Sequence, residues 1–229
     1  MAYNQAKTGG DLAAFWYKNQ KAVLTIVAVI IIAVAGVICY KAFIQGPKEE
    51  RANEQLSLVQ SAFQQAAFAP DLDTAAYKAV LNGNGQGTGA LGIIKNYSGT
   101  DAANLAAYYA GAAYLHTGDF QNAVKYLKDF KTSQKQVQMM AYGALGDAYS
   151  ELKQNSEAIG SYKKAAETFE DDAVNASEYL FRAGLLSELA GQNKDAIAIY
   201  KKLKNEFPNT VKGSQAEKYL NRLELQQEN

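Results

Sequence analysis

The sequence predicts an all-α chain: an N-terminal transmembrane helix followed by a solenoid of paired helices. Three observations carry this prediction. Residues 22–40, AVLTIVAVIIIAVAGVICY, contain no charge. Proline occurs only at Pro47, Pro70 and Pro208, so long helices can run between these breaks. After residue 100, small and aromatic residues recur with a period in the thirties, the mark of a helical repeat.

A short tail, residues 1–21, leads into the span. At about 1.5 Å per residue, a helix over residues 22–40 is about 28 Å long, close to the hydrocarbon thickness of a bilayer. Phe15, Trp16 and Tyr17 precede it and Tyr40 and Phe43 end it, with Lys18, Lys21 and Lys41 beside them, so amphipathic side chains stand at both headgroup levels. A cleaved signal sequence would use Lys18 and Lys21 as its basic region and Ala33-Val34-Ala35 as its cleavage site, but the apolar run continues past that site to Tyr40. Cys39, the only cysteine, follows Ile38 where a lipidated cysteine would follow a small residue, and it allows no intrachain disulfide. Positive charge does not orient the span, because Lys7, Lys18 and Lys21 on one side balance Lys41, Lys48 and Arg51 on the other. A short tail before one span and a long C-terminal part is the plan of a protein that works outside the cytoplasm, so the tail is expected to be cytoplasmic.

Gly46-Pro47 is expected to end or kink the membrane helix, with residues 41–51 as a short stalk. Residues 52–99 read as a degenerate helical pair with a glycine-rich loop. Leu56, Val59, Phe63 and Ala66 recur at helical spacing until Phe68-Ala69-Pro70-Asp71 stops them, and a second helix carrying Tyr77, Val80 and Leu81 folds back. Asn82 to Gly89 then serve as a flexible connector. From Ala52 onward 17 Lys plus Arg and 20 Asp plus Glu are mixed along the chain, a surface without a nucleic-acid footprint.

Residues 100–208 hold three repeats. The first runs Ala107-Tyr108-Tyr109-Ala110-Gly111-Ala112-Ala113-Tyr114, then Gly118-Asp119-Phe120 and Ala123-Val124. The second runs Tyr142-Gly143-Ala144-Leu145-Gly146-Asp147-Ala148-Tyr149, then Ala158-Ile159, Tyr162 and Ala165. The third has Leu180, Ala183-Gly184, Gly191-Gln192-Asn193, Ala196-Ile197, Tyr200 and Pro208. This pattern resembles the tetratricopeptide repeat, two antiparallel helices with large, small and aromatic positions at fixed offsets. Gly111, Gly146 and Gly184 would let the two backbones approach, and Tyr114, Tyr149, Tyr162 and Tyr200 would fill the space between pairs. Asp119, Ser156 and Asn193 are the expected N-caps of the second helices, with Ser133 and Gln136 as a capping box. The sequence departs from the pattern at Ala107 and Leu180, where a large aromatic is usual, and at Ser187 in place of a third tyrosine. Residues 209–229 supply a polar-backed helix that closes the array.

Catalytic chemistry is not indicated. The glycine-rich segment has neither a preceding strand nor a following Gly-Lys-Ser/Thr, so it is no phosphate loop. His116 is the single histidine and precedes Thr117-Gly118, where it suits the carbonyls of a helix end. Asp171-Asp172 and Glu49-Glu50 read as caps and solvated turns. The expectation is a non-enzyme without cofactor or metal.

If the repeats pack as in the family they resemble, their inner face presents Leu105, Tyr108, Ala112, Leu115 and His116 from the first unit. The second unit adds Met140, Gly143, Asp147, Ser150 and Glu151, and the third adds Glu178, Phe181, Leu185, Glu188 and Leu189. Apolar anchors among carboxylates suit an extended or helical peptide. The bland alternative is that several of these residues only pack against neighbouring helices.

The order of parts, with Phe15-Trp16-Tyr17-Lys18-Asn19-Gln20-Lys21 at the entry to the span, is similar to the YfgM family of ancillary subunits of the bacterial Sec translocon. That resemblance implies an inner-membrane protein with its repeats in the periplasm. It would bind the SecYEG translocon and the anchored chaperone PpiD and would help unfolded, newly translocated client proteins to fold. The other class consistent with the residues is a structural adaptor of a different cell-envelope assembly or secretion complex.

Overall fold

A computed structural model describes residues 7–69, 74–85 and 87–227, and the elements it describes are helices joined by short turns. Pro70, Asp71 and Gln86 lie outside the described residues. The chain divides into two units, Met1–Glu50 and Arg51–Asn229.

In the first unit, α1 runs from Lys7 to Tyr40. Its large apolar side chains from Phe15 to Tyr40, Ile26, Val29, Ile32 and Ile38 among them, are exposed, with Val23 alone among these half-buried. A helix so apolar and so uncovered by protein is a candidate membrane span. Two of its polar side chains are satisfied within the helix: the Asn19 amide donates to the Phe15 carbonyl and the Thr25 hydroxyl to the Lys21 carbonyl.

Gly46-Pro47 does not end the helix as expected. A wider π turn at Lys41–Gln45 precedes it, in which the Gly46 N–H reaches back to the Lys41 carbonyl, and α2 then runs from Gly46 to Ala67. In a regular α-helix the Pro47 ring would strike the carbonyl four residues earlier, and the extra residue in the turn makes room for it. The segment expected as a stalk is therefore helical.

The second unit begins with the apolar stripe of α2. Ala52, Leu56, Val59 and Ala66 share a core with α3 (Thr74–Asn82), α4 (Ala90–Asn96) and α5 (Asp101–His116). The short helix α4, which the sequence reading does not identify, buries Ala90 and Ile93. The glycine-rich connector is tied to α2 where the Thr88 N–H donates to Gln55 Oε1 at 2.8 Å.

Three hairpins follow: α5 with α6 (Phe120–Leu127), α7 (Lys135–Glu151) with α8 (Asn155–Thr168), and α9 (Ala173–Leu189) with α10 (Asn193–Glu206). The final helix α11 spans Val211–Gln227. All three hairpins turn in one way. Asp119, Gln154 and Gln192 donate their N–H groups to the carbonyls of Tyr114, Tyr149 and Ser187 at 2.9, 2.9 and 2.8 Å. The residue just before each donor, Gly118, Lys153 or Gly191, is left-handed, the closure common at helix C-termini.

Helix starts agree only in part with the sequence. Thr100, Asp119 and Asp172 cap α5, α6 and α9 by accepting from Ala103, Asn122 and Asn175. Ser156 and Asn193 do not cap, since α8 and α10 begin at or before them and follow Gln154 and Gln192. Ser133 and Gln136 form no capping box either. Buried Gln138 does that work instead, accepting from the Thr132 N–H at 2.8 Å and donating to the Phe130 carbonyl.

The crossing glycines also receive side chains. A Cβ on Gly146 would fall 2.6 Å from the Tyr162 ring, and one on Gly184 would fall 2.7 Å from the Tyr200 ring. Gly111 faces Leu127 in the same way. Each glycine is thus a socket for a large side chain from the second helix. Ser187, in place of the third tyrosine, is fully buried and donates to the Ala183 carbonyl.

Candidate functional site

Two clamps join successive hairpins. In the first, Asp147 Oδ1 on α7 accepts from the Tyr162 hydroxyl of α8 at 2.7 Å and from Arg182 Nη1 of α9 at 3.0 Å. In the second, Glu188 on α9 accepts from the Tyr200 hydroxyl of α10 at 3.4 Å and from Arg222 Nη2 of α11 at 2.7 Å. Burial and then the adjacent carboxylate raise both phenol pKa values, so both tyrosines stay protonated donors. The arginines come from one local pattern. Tyr179-Leu180-Phe181-Arg182 and Tyr219-Leu220-Asn221-Arg222 each bury their leucine and send the tyrosine and arginine back to the preceding hairpin. The closing helix α11 therefore packs as the first helix of a further repeat.

Glu178 extends the first clamp. It pairs with Arg182 at 2.9 Å and with Lys212 of α11 at 3.4 Å. Burial alone would raise its carboxyl pKa, but Arg182 and Lys212 outweigh burial and hold it below the ordinary value. These pairs are partly exposed, so each contributes a few tenths to about 1 kcal/mol, and their main effect is to set register between repeats.

Among the described residues no such clamp joins the first and second hairpins, and a cleft of about 510 Å³ opens there. Leu115, His116 and Phe120 form one wall, and Asp147, Ser150 and Glu151 form the other, with Tyr162 and Arg182 at the floor. His116 stacks on Tyr77 of α3, with ring centroids 4.3 Å apart and planes 13° apart. Phe63 of α2 meets Tyr77, Tyr109 and His116 edge-on, so α2 and α3 close the N-terminal end of the array. Desolvation lowers the His116 pKa, with Asp147 opposing in part, and the ring is neutral at pH 7.

Family models for the tetratricopeptide repeat match residues 105–134, 141–172 and 178–210, which correspond to the three hairpins in turn. The chain contains three tetratricopeptide repeats. No curated protein and no solved structure matches it. Tetratricopeptide repeats are typically non-catalytic modules that bind other proteins.

The residues expected on the inner face of the tetratricopeptide array divide into three groups. Tyr108 and Phe181 are each only 7% exposed. They belong to the core: Tyr108 packs on Tyr109 and Phe130, and Phe181 packs on Tyr200 and Tyr219. Ala112 and Gly143 are buried too, the latter under the Tyr179 ring. Asp147, Glu178 and Glu188 are taken up by the clamps. What stays open is Met140 at 44%, Leu185 at 36% and Leu189 at 75% exposed, together with Leu105, Leu115, His116, Ser150 and Glu151. The sequence reading misses Arg182, Lys212 and Arg222. The recurrence of Tyr-Leu-x-Arg is the signal that marks two of them.

Proposed function

We propose that this chain is a membrane-anchored protein-interaction module, an ancillary subunit of a bacterial Sec translocon that receives newly translocated polypeptides in the periplasm. The observation that carries this proposal is the joining of one uncovered apolar helix to a tetratricopeptide array. An anchor beside a channel raises the local concentration of the array near emerging chains without any new contact, so weak, reversible binding suffices. Open apolar residues such as Met140, Leu185 and Leu189 suit transient capture of unfolded segments. The span, the tail in the cytoplasm and the partners SecYEG and a PpiD-like chaperone follow from the resemblance described above.

A second function, adaptor in another envelope assembly, draws support from the clamps, which hold the array in one register as a stoichiometric partner requires. Photoreactive amino acids placed at Met140 or Leu185 and irradiated in bacterial cells distinguish the two. The translocon function predicts crosslinks to channel subunits and to many nascent chains. A single stoichiometric product lacking channel subunits would overturn it in favour of the adaptor.

A further inference from the structure

Glu151 stands at the last position of α7, on the wall of the cleft between the first two repeats. Its carboxylate is exposed and has no hydrogen-bond or ion-pair partner among the described residues. The other charges of the cleft are balanced, since Asp147 is joined to Arg182 and Arg182 also to Glu178, which Lys212 neutralises. His116 adds no positive charge at neutral pH. One unbalanced negative charge therefore faces the space. The C-terminal ends of α5 and α7 both border the cleft, so the negative ends of two helix dipoles add to the negative potential. A glutamate at a helix C-terminus opposes the helix dipole, so nothing in the local fold calls for Glu151 there.

The opposite wall carries the apolar side chains of Leu115 and Phe120 beside the neutral ring of His116. The cleft stays open because α7 lacks the Tyr-Leu-x-Arg pattern by which α9 and α11 close the junctions behind them. At about 510 Å³ it is large enough for a long side chain and adjoining backbone. Lysine and arginine combine an aliphatic stem with a terminal cation, and the stem can lie along Leu115 and Phe120 while the charge reaches Glu151.

We infer that this cleft is a subsite for a basic side chain of an extended polypeptide, with Glu151 as the counter-ion. The inference rests on the proposed polypeptide-binding role and adds to it a selectivity. Segments with a lysine or arginine amid neutral residues are preferred over neutral or acidic ones.

The test uses the full-length protein in detergent micelles and dye-labelled short peptides that differ only at a central lysine, norleucine or glutamate, read by fluorescence anisotropy. The wild type should bind the lysine peptide about three- to fivefold more tightly than the norleucine peptide, the range expected for one partly exposed ion pair. Glu151→Gln should abolish that advantage, and Glu151→Lys should transfer it to the glutamate peptide. Both variants sit at an exposed helix end and should keep the wild-type circular dichroism spectrum. A lysine preference that survives Glu151→Lys, or three peptides bound equally by the wild type, would overturn the subsite while leaving polypeptide binding intact. No binding of any peptide by the wild type would overturn the polypeptide-binding role itself.

Discussion

Gly146 and Gly160 lie on the two helices of one hairpin, yet alanine should act in opposite directions at these positions. At Gly146 the new methyl would meet the Tyr162 ring at 2.6 Å. That ring cannot easily retreat, because it is buried and its hydroxyl donates to Asp147 at 2.7 Å. Forcing a methyl into such a site costs about 1–3 kcal/mol, and helix propensity returns about 1 kcal/mol. If the ring swings away, the bond to the Asp147 carboxylate goes with it, adding about 1 kcal/mol once exposure is discounted. The net expectation is a loss of about 1–3 kcal/mol. At Gly160 nothing lies within 4 Å of the added atom, so propensity acts alone and alanine should stabilise by about 1 kcal/mol. At about 2–4 °C per kcal/mol for a unit of this size, the two variants should melt about 5–15 °C apart, with the wild type between them. Near-ultraviolet circular dichroism of the full-length protein in mild detergent measures this, because the packed tyrosines of the repeats lose their signal when the repeats unfold. A Gly146→Ala protein that melts at or above the wild type would refute the socket argument.

Lys153 occupies the left-handed turn position that glycine holds in the other two repeats. Lys153→Gly should therefore raise stability by about 1 kcal/mol, seen as a higher melting temperature. Phe181→Ala should destabilise by about 3–5 kcal/mol by emptying the space beside Tyr200 and Tyr219, whereas Met140→Ala should change stability by less than about 0.5 kcal/mol; parallel thermal melts separate the two. His116 has a folded pKa below its unfolded value. Its neutral form therefore contributes stability above about pH 6.5, and that contribution is lost as pH falls through the folded pKa. Melts from neutral to mildly acidic pH should show a shallower decline in His116→Phe than in the wild type.

The repeats are legible because each one states its structure several times over. Gly146 with Tyr162 and Gly184 with Tyr200 pair a socket with its ring, and Gly118 and Gly191 mark turns that require left-handed backbone. Caps are less legible. Asp119 works as expected, but Gln138 replaces Ser133 and Gln136 through a bond across six residues, for which no short spacing rule exists. The helix does not end at Gly46-Pro47, the first of the two outcomes expected there, because one π turn accommodates the proline within continuous helical backbone.

The sequence by itself determined an apolar helix of membrane length and an array of helical hairpins with its period and turns. These depend on hydrophobic periodicity and backbone chemistry within one or two turns of helix, which a linear reading contains. The tertiary structure alone decided the fate of the inner face. Tyr108 and Phe181 look like Met140 and Leu189 in sequence, and only the placement of the next helix buries the first pair and leaves the second open. The same holds for charge. Asp147, Glu178 and Glu188 are spent on arginines and a lysine as many as 35 residues away, and Glu151, alike in chemistry, is left to face the cleft.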